Sequence, residues 1–265
     1  MSNPRAEVRL RLGHLYPDQL NMYGDRGNIL TLLRRCEWRG IRLDVVPLDI
    51  GDELDGTQLD MLFIGGGQDK EQDEVAQDLR ERKGDALRAA VEADMPVLGV
   101  CGGYQFLAKY YHPAEGPDLE GAGIFDAWTI HKGKSVARCI GNVAITWGAS
   151  TLVGFENHGG RTYLGPTMKP LGQVMAGHGN NSEDKGEGCV YRNTYGTYIH
   201  GSLLPKNPHL ADHLLGLALE RTHGADARTL LTSHPLDDTL EWQAHERMLK
   251  RLGLTPRAHA FAQAS

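Results

Sequence analysis

Apolar and polar positions along the chain switch between a period of two and a period near 3.6, and the switches mark out strands and helices. Residues 8–12, Val8-Arg9-Leu10-Arg11-Leu12, alternate apolar and charged side chains, the pattern of an edge or half-buried strand. Asp25 stands where a helix N-cap belongs, ahead of Ile29, Leu30, Leu32 and Leu33. Leu43-Asp44-Val45-Val46-Pro47-Leu48 predicts a second strand, and Asp60-Met61-Leu62-Phe63-Ile64 a third, more apolar and so more central. Over residues 71–93, Val75, Leu79, Ala86, Leu87, Ala90 and Val91 recur at helical intervals, which predicts a crossover helix interrupted near Gly84. A strand over 97–100 and a helix over 104–111 follow. This order predicts a flavodoxin-like, doubly wound α/β fold with a right-handed parallel sheet. Its ligand site belongs at the carboxyl ends of the strands.

From residue 116 to 198 the pattern shortens. Val143-Ala144-Ile145-Thr146, Leu152-Val153-Gly154-Phe155, Cys189-Val190-Tyr191 and Thr197-Tyr198-Ile199 are brief apolar runs separated by glycines. They predict antiparallel strand additions in the C-terminal half rather than a separate domain. Amphipathic helices are expected over 210–223 and 240–252. Residues 1–255 thus read as a single domain and 256–265 as a frayed tail.

The chemistry concentrates where the fourth strand ends. Val97-Leu98-Gly99-Val100 runs into Cys101, and Gly102 and Gly103 follow before the next apolar segment. A residue at such a corner is held in a tight backbone that needs small neighbours. A cysteine there sits at the positive end of the following helix, which favours the attacking thiolate. A lone cysteine is more often a buried packing residue, but the crowd of glycines favours a nucleophile. The third strand ends in Gly65-Gly66-Gly67, without the G-x-G-x-x-G spacing of a dinucleotide fingerprint. A triple glycine makes a turn, or it bares backbone N–H groups to a developing oxyanion.

A cysteine nucleophile needs an imidazole to manage its protons. Among 12 histidines, His200 has the best context, an apolar β run before it and Gly201 beside it. His158, in the polar stretch Gly154-Phe155-Glu156-Asn157-His158-Gly159-Gly160-Arg161-Thr162, is the rival. His209 and His213 lie four apart without the glutamate of H-E-x-x-H, so they read as solvated or packing residues and no metal site is expected. Residues 177–182, Gly-His-Gly-Asn-Asn-Ser, read as a solvated loop, and Arg138 alone as a solvated charge.

Composition narrows the setting. The 265 residues carry a net charge of −6 and no basic run, so there is no footprint for nucleic acid. Four cysteines without a C-x-x-C point to a reducing compartment. No signal peptide or run of membrane-spanning length is evident, and the expected location is cytoplasmic. A P-loop, G-x-x-x-x-G-K-[ST], is also missing.

Gly99-Val100-Cys101-Gly102-Gly103-Tyr104-Gln105 resembles the G-x-C-x-G-x-Q motif of class I (triad) glutamine amidotransferases. Gly196-Thr197-Tyr198-Ile199-His200-Gly201 resembles the histidine motif of their cobyric-acid-synthase-like branch. Tyr16-Pro17-Asp18-Gln19-Leu20-Asn21-Met22-Tyr23-Gly24-Asp25-Arg26-Gly27-Asn28 is similar to the N-terminal signature of the GatD group, the glutaminase subunits of bacterial lipid II isoglutaminyl synthases. The similarity runs from about residue 15 to 212. It implies that Cys101 attacks L-glutamine, with His200 as its base. It also implies an oxyanion hole formed by Gly66, Gly67 and Gly102, and Gln105 and Arg138 as glutamine-holding residues. Many class I enzymes place a glutamate shortly after the histidine, but His200-Gly201-Ser202 has no acid at that spacing. In the GatD group the third acid is implied to come from a partner, a MurT-like Mur-ligase subunit in a heterodimer. That partner would carry ATP and Mg, with no cofactor in this chain, and would amidate the D-glutamate of lipid II in peptidoglycan synthesis. The alternatives are a cobyric-acid-type enzyme with another acceptor, a cysteine hydrolase on the same elbow, and a regulatory subunit that binds glutamine without turnover.

Overall fold

The computed structural model describes residues 8–20, 25–67, 72–201 and 203–256. Expectations for residues 21–24, 68–71, Ser202 and the tail beyond 256 lie outside the described residues. The first half alternates as the sequence predicts: β1 (Arg9–Leu15), α1 (Arg26–Glu37), β2 (Arg42–Leu48), β3 (Met61–Ile64), α2 (Gln72–Asp78), α3 (Gly84–Glu92), β4 (Val97–Val100) and α4 (Gly102–Leu107). The interruption expected near Gly84 is a π-helical turn, Leu79–Lys83, between α2 and α3. It turns the Lys83 ammonium inward onto Asp78 and the Asp49 carbonyl, and the Tyr16 hydroxyl donates to the same Asp78 carboxylate at 2.9 Å.

The second half is strand-rich: β5 (Tyr110–His112), β6 (Leu119–Glu120), β7 (Ala127–His131), β8 (Cys139–Trp147), β9 (Ser150–His158), β10 (Gly160–Leu164), β11 (Gly172–Ala176), β12 (Gly186–Glu187), β13 (Cys189–Tyr191) and β14 (Thr194–Thr197). Helices α5 (Pro208–His223), α6 (Thr229–Ser233) and α7 (Thr239–Arg251) follow.

The central sheet has the order β13-β14-β4-β3-β1-β2, parallel throughout except for β13. Two smaller sheets, β10-β7-β5-β6 and β12-β11-β8-β9, are antiparallel apart from the parallel β5–β7 pair. An isolated bridge between Phe155 of β9 and His200 fastens the β8–β9 sheet to the end of the central one.

Four expectations change. β1 is interior, between β2 and β3, because the buried run continues through Gly13-His14-Leu15 past the alternating residues. The helix expected over 104–111 stops at Leu107, and Tyr110–His112 pairs instead with β6 and β7. β14 joins the core as a parallel strand beside β4, not as an antiparallel addition. The loop at 177–182 is no solvated loop, since Asn180 and Asn181 are buried. Asn180 bonds the backbone of Gly188 on both sides and meets the Tyr104 hydroxyl, while Asn181 donates to the Thr162 carbonyl.

The core is a continuous apolar cluster running through β1, β3, β4, α3, α4 and α5. Beside it, Arg35 of α1 is buried with bonds to Asp212 of α5 at 2.7 Å and to Asp238, just ahead of α7, at 2.5 Å. Arg39 donates to the same Asp212 at 2.7 Å. His209 and His213 are packing residues: His209 stacks on Trp242, and the Tyr195 hydroxyl meets His213 Nε2 at 2.7 Å.

Candidate active site

Cys101 sits between β4 and α4 with φ +52°, a left-handed conformation that a non-glycine residue rarely holds. Its surroundings show why the neighbours are glycines. A Cβ on Gly99 would lie 3.1 Å from the Gly103 backbone, and one on Gly103 would run into the Ile64 carbonyl. The Gly103 N–H uses that closeness to donate to the Gly65 carbonyl at 2.9 Å, so the elbow is stitched to the end of β3.

The triple glycine lies directly against the thiol. A Cβ on Gly66 would be 3.0 Å from Cys101 Cβ and 3.6 Å from its Sγ. A Cβ on Gly102 would meet the Gly67 nitrogen at 3.2 Å, so the Gly67 and Gly102 backbones face each other. Gly102 opens α4, and its N–H has no helical acceptor. The Gly66 N–H is different: it donates to Asp25 Oδ2 at 2.6 Å. Of the three amides expected in an oxyanion hole, two are at the thiol corner and the third is engaged by a carboxyl group.

Asp25 does occupy the position before α1, but its side chain makes no cap to that helix. It is 1% exposed and reaches 41 residues along the chain to Gly66. Burial pushes its carboxyl up to about 7, with the Gly66 N–H opposing.

His200 is delivered to the same edge. Thr197, the last residue of β14, is level with Val100, the last of β4, and its carbonyl accepts the Cys101 N–H at 2.8 Å. His200 follows three residues later, fully buried. Its Nε2 accepts the Asn157 N–H at 3.1 Å, which assigns the proton of the neutral ring to Nδ1. Burial, then repulsion by His158 and Arg138, lowers its pKa to about 4, while the buried Glu156 opposes that shift. The imidazole is therefore neutral at pH 7, with its Nε2 lone pair on the Asn157 N–H.

The polar stretch at 154–162 supplies the wall behind His200. Glu156 accepts from the His178 N–H at 2.6 Å and the Gly179 N–H at 3.0 Å, tying the loop at 177–182 to β9. The rival base, His158, is stacked on Tyr198 with ring centroids 3.7 Å apart. Its Nδ1 meets the Gly160 carbonyl at 2.8 Å, and its Nε2 lies 3.7 Å from Glu156 Oε2. Arg138 is exposed, donates to Asn157 Oδ1 at 3.0 Å and to the Asn157 carbonyl at 3.2 Å, and so stands at the rim of the His200 wall. Gln105, one turn past the cysteine, is buried and donates to the Tyr198 hydroxyl at 3.1 Å. The anchoring by the Asn157 amide and the reach of Asp25 to Gly66 were missed in the sequence. Only the density of polar residues at 154–162 signalled the first.

The CobB/CobQ-like glutamine amidotransferase domain matches residues 11–208. The chain belongs to that family. It is 45% identical over 215 residues to the lipid II isoglutaminyl synthase (glutamine-hydrolyzing) subunit GatD of Staphylococcus aureus, covering 80% of this chain and 85% of that one. It is 41% identical over 220 residues to the subunit of the same name from Streptococcus pneumoniae, covering 82% and 84%. Among solved structures, a glutamine amidotransferase shares the fold at a TM-score of 0.52 and 19% identity, over 78% of this chain and 98% of that one. PurLQS from Thermotoga maritima does so at 0.52 and 16%, over 86% and 97%. As a family member the chain is a glutamine amidotransferase domain, with the cysteine elbow and the histidine just past the ends of adjacent strands, β4 and β14.

Proposed function

We infer that this chain is the glutamine-hydrolysing subunit of a lipid II isoglutaminyl synthase. The observation that carries the reading is the convergence of Cys101 and His200 at one sheet edge, in a chain more than 40% identical to two such subunits. Cys101 Sγ attacks the side-chain amide carbon of L-glutamine as His200 takes the thiol proton, and the carbonyl oxygen takes up the negative charge against backbone N–H groups at the Gly67–Gly102 corner. The tetrahedral adduct collapses with loss of ammonia, to which His200 supplies a proton. The imidazole then takes a proton from water as that water attacks the γ-glutamyl thioester, releasing glutamate and the free thiol. Arg138 at the rim has the charge to hold the glutamine carboxylate, and Gln105 lies close enough to the elbow to help shape the pocket.

The ammonia is consumed by a MurT-like ligase subunit that amidates the D-glutamate of lipid II in the cytoplasm. ATP and Mg belong on that subunit. Its contribution to this site is an acid that orients His200, since the chain's own segment after His200 carries none at the usual spacing. No helix among the described residues is long and apolar enough to cross a membrane.

The test is ammonia release from glutamine by the chain alone and with the ligase subunit. Low release alone and a large rise on docking supports the shared site; equal release in both removes the reason for a partner acid.

A further inference from the structure

Asp25 is the one buried carboxyl group next to the thiol corner that the glutaminase reading leaves without a role. It lies beside Gly66 as Cys101 does: a Cβ there would be 3.4 Å from Asp25 Oδ2 and 3.6 Å from Cys101 Sγ. A buried carboxyl group without a compensating cation is costly, and none of the ion pairs found among the described residues includes Asp25. Its place before α1 does not account for it either, because its side chain leaves the helix uncapped. What it does hold is the Gly66 N–H, at 2.6 Å through Oδ2, and at the limit of bonding distance the Asn28 Nδ2, 3.5 Å from Oδ1.

The triple glycine is gripped from two directions. The elbow takes the Gly65 carbonyl through the Gly103 N–H at 2.9 Å. Asp25 takes the next amide, that of Gly66. On the outer side, a Cβ on Gly65 would strike the Leu20 carbonyl, and one on Gly67 would lie 3.0 Å from the Gln19 carbonyl. The turn carrying Gln19 and Leu20 is closed by Leu20 N–H to the Tyr16 carbonyl at 2.7 Å, and Tyr16 is itself fixed on Asp78. With the Gly65 carbonyl and the Gly66 N–H both committed, the amide of this turn that lies against Gly102 is that of Gly67, whose nitrogen is 3.2 Å from where a Gly102 Cβ would stand.

We propose that Asp25 is a positioning residue for the oxyanion hole. It takes the Gly66 N–H out of the donor set and orients the following peptide so that Gly67 and Gly102 present the two N–H groups to the reacting carbonyl. The proposal rests on the glutaminase reading above. It assigns a mechanical purpose to a residue of the N-terminal signature: α1 and the turn ahead of it brace the site from outside the elbow.

The test compares wild type, Asp25→Ala and Asp25→Asn in complex with the ligase subunit, with two readouts. One is ammonia release, resolved into kcat and KM. The other is alkylation of Cys101 by iodoacetamide, a displacement that forms no oxyanion. Asp25→Ala is expected to lower kcat by about 10²–10³-fold, the loss typical of an oxyanion donor, with KM little changed and alkylation not slowed. Asp25→Asn keeps a carbonyl oxygen for the Gly66 N–H and is expected to recover most of kcat. An unchanged kcat in Asp25→Ala overturns the proposal, as does alkylation slowed in step with kcat, which marks general disorder. Should Asp25→Ala not fold, Asp25→Asn decides: kcat as low as that of a hole-deficient enzyme, with alkylation intact, also overturns it. A wild-type complex that releases no ammonia overturns the glutaminase reading instead, and this proposal with it.

Discussion

The Cys101 N–H donates to the Thr197 carbonyl at 2.8 Å, and that one bond fastens the nucleophile's corner to the strand that delivers His200. Sliding either strand would shift one group relative to the other, because Cys101 and His200 follow β4 and β14, which are in parallel register from Val97 and Thr194 to Val100 and Thr197. The pairing explains how two groups a hundred residues apart in sequence reach one edge of the sheet. The antiparallel sheet on β8 and β9 then closes over His200 through the Phe155 bridge and the Asn157 amide.

Gly103→Ala tests the elbow. The added methyl group meets the Ile64 backbone, with the carbonyl carbon at 2.8 Å, and pushes the Gly103 N–H off the Gly65 carbonyl. Overpacking of this kind costs about 1–3 kcal/mol. Chemical denaturation should show a stability loss in that range, and ammonia release should fall further than the unfolded fraction accounts for.

His200 should titrate far below an ordinary histidine. Its pKa is lowered to about 4, so the neutral ring stabilises the fold above the unfolded value of 6.5. That contribution is lost as the pH falls from 6.5 through 4. The ring C–H resonances of His200, assigned by comparison with His200→Gln, should hold their neutral positions from pH 8 to below 6.

On the proposed mechanism, Arg138 holds the carboxylate of glutamine. Removing a guanidinium that bonds a substrate carboxylate costs about 1.5–3 kcal/mol, or roughly 10- to 100-fold in binding. Arg138→Ala should therefore raise KM for glutamine by that factor in steady-state assays. Because Arg138 also bonds Asn157, Arg138→Lys should recover part of the loss and not all of it.

The Arg35 cluster is a stability element away from the chemistry. Arg35 is 2% exposed and answers both Asp212 and Asp238. Arg35→Ala leaves two carboxylates without this partner, and breaking a buried pair costs about 3–5 kcal/mol. The thermal midpoint should drop sharply while Cys101 alkylation in the still-folded protein stays unchanged.

Sequence alone gave the parts whose causes are local. The Val97–Val100 strand, the glycines around Cys101 and the apolar run before His200 are each readable within a few residues, and they fall where expected. The break near Gly84 was readable for the same reason. What was not legible depends on distant partners. Helix α4 ends early because the Lys109 N–H finds the Ala127 carbonyl at 2.9 Å and Tyr110–His112 pairs with β7. Asn180 and Asn181 look like solvated loop residues until Gly188, Tyr104 and Thr162 satisfy them. Asp25 looks like a helix cap until the fold brings Gly66 within 2.6 Å.

The central claim is that Cys101 carries the acyl group of glutamine. Acid quench of the complex during turnover, followed by peptide mass spectrometry, tests it most directly. A γ-glutamyl thioester on the Cys101 peptide, lost in Cys101→Ser together with ammonia release, is the predicted result. Ammonia release that survives Cys101→Ser, or a glutamyl adduct on another residue, would contradict it.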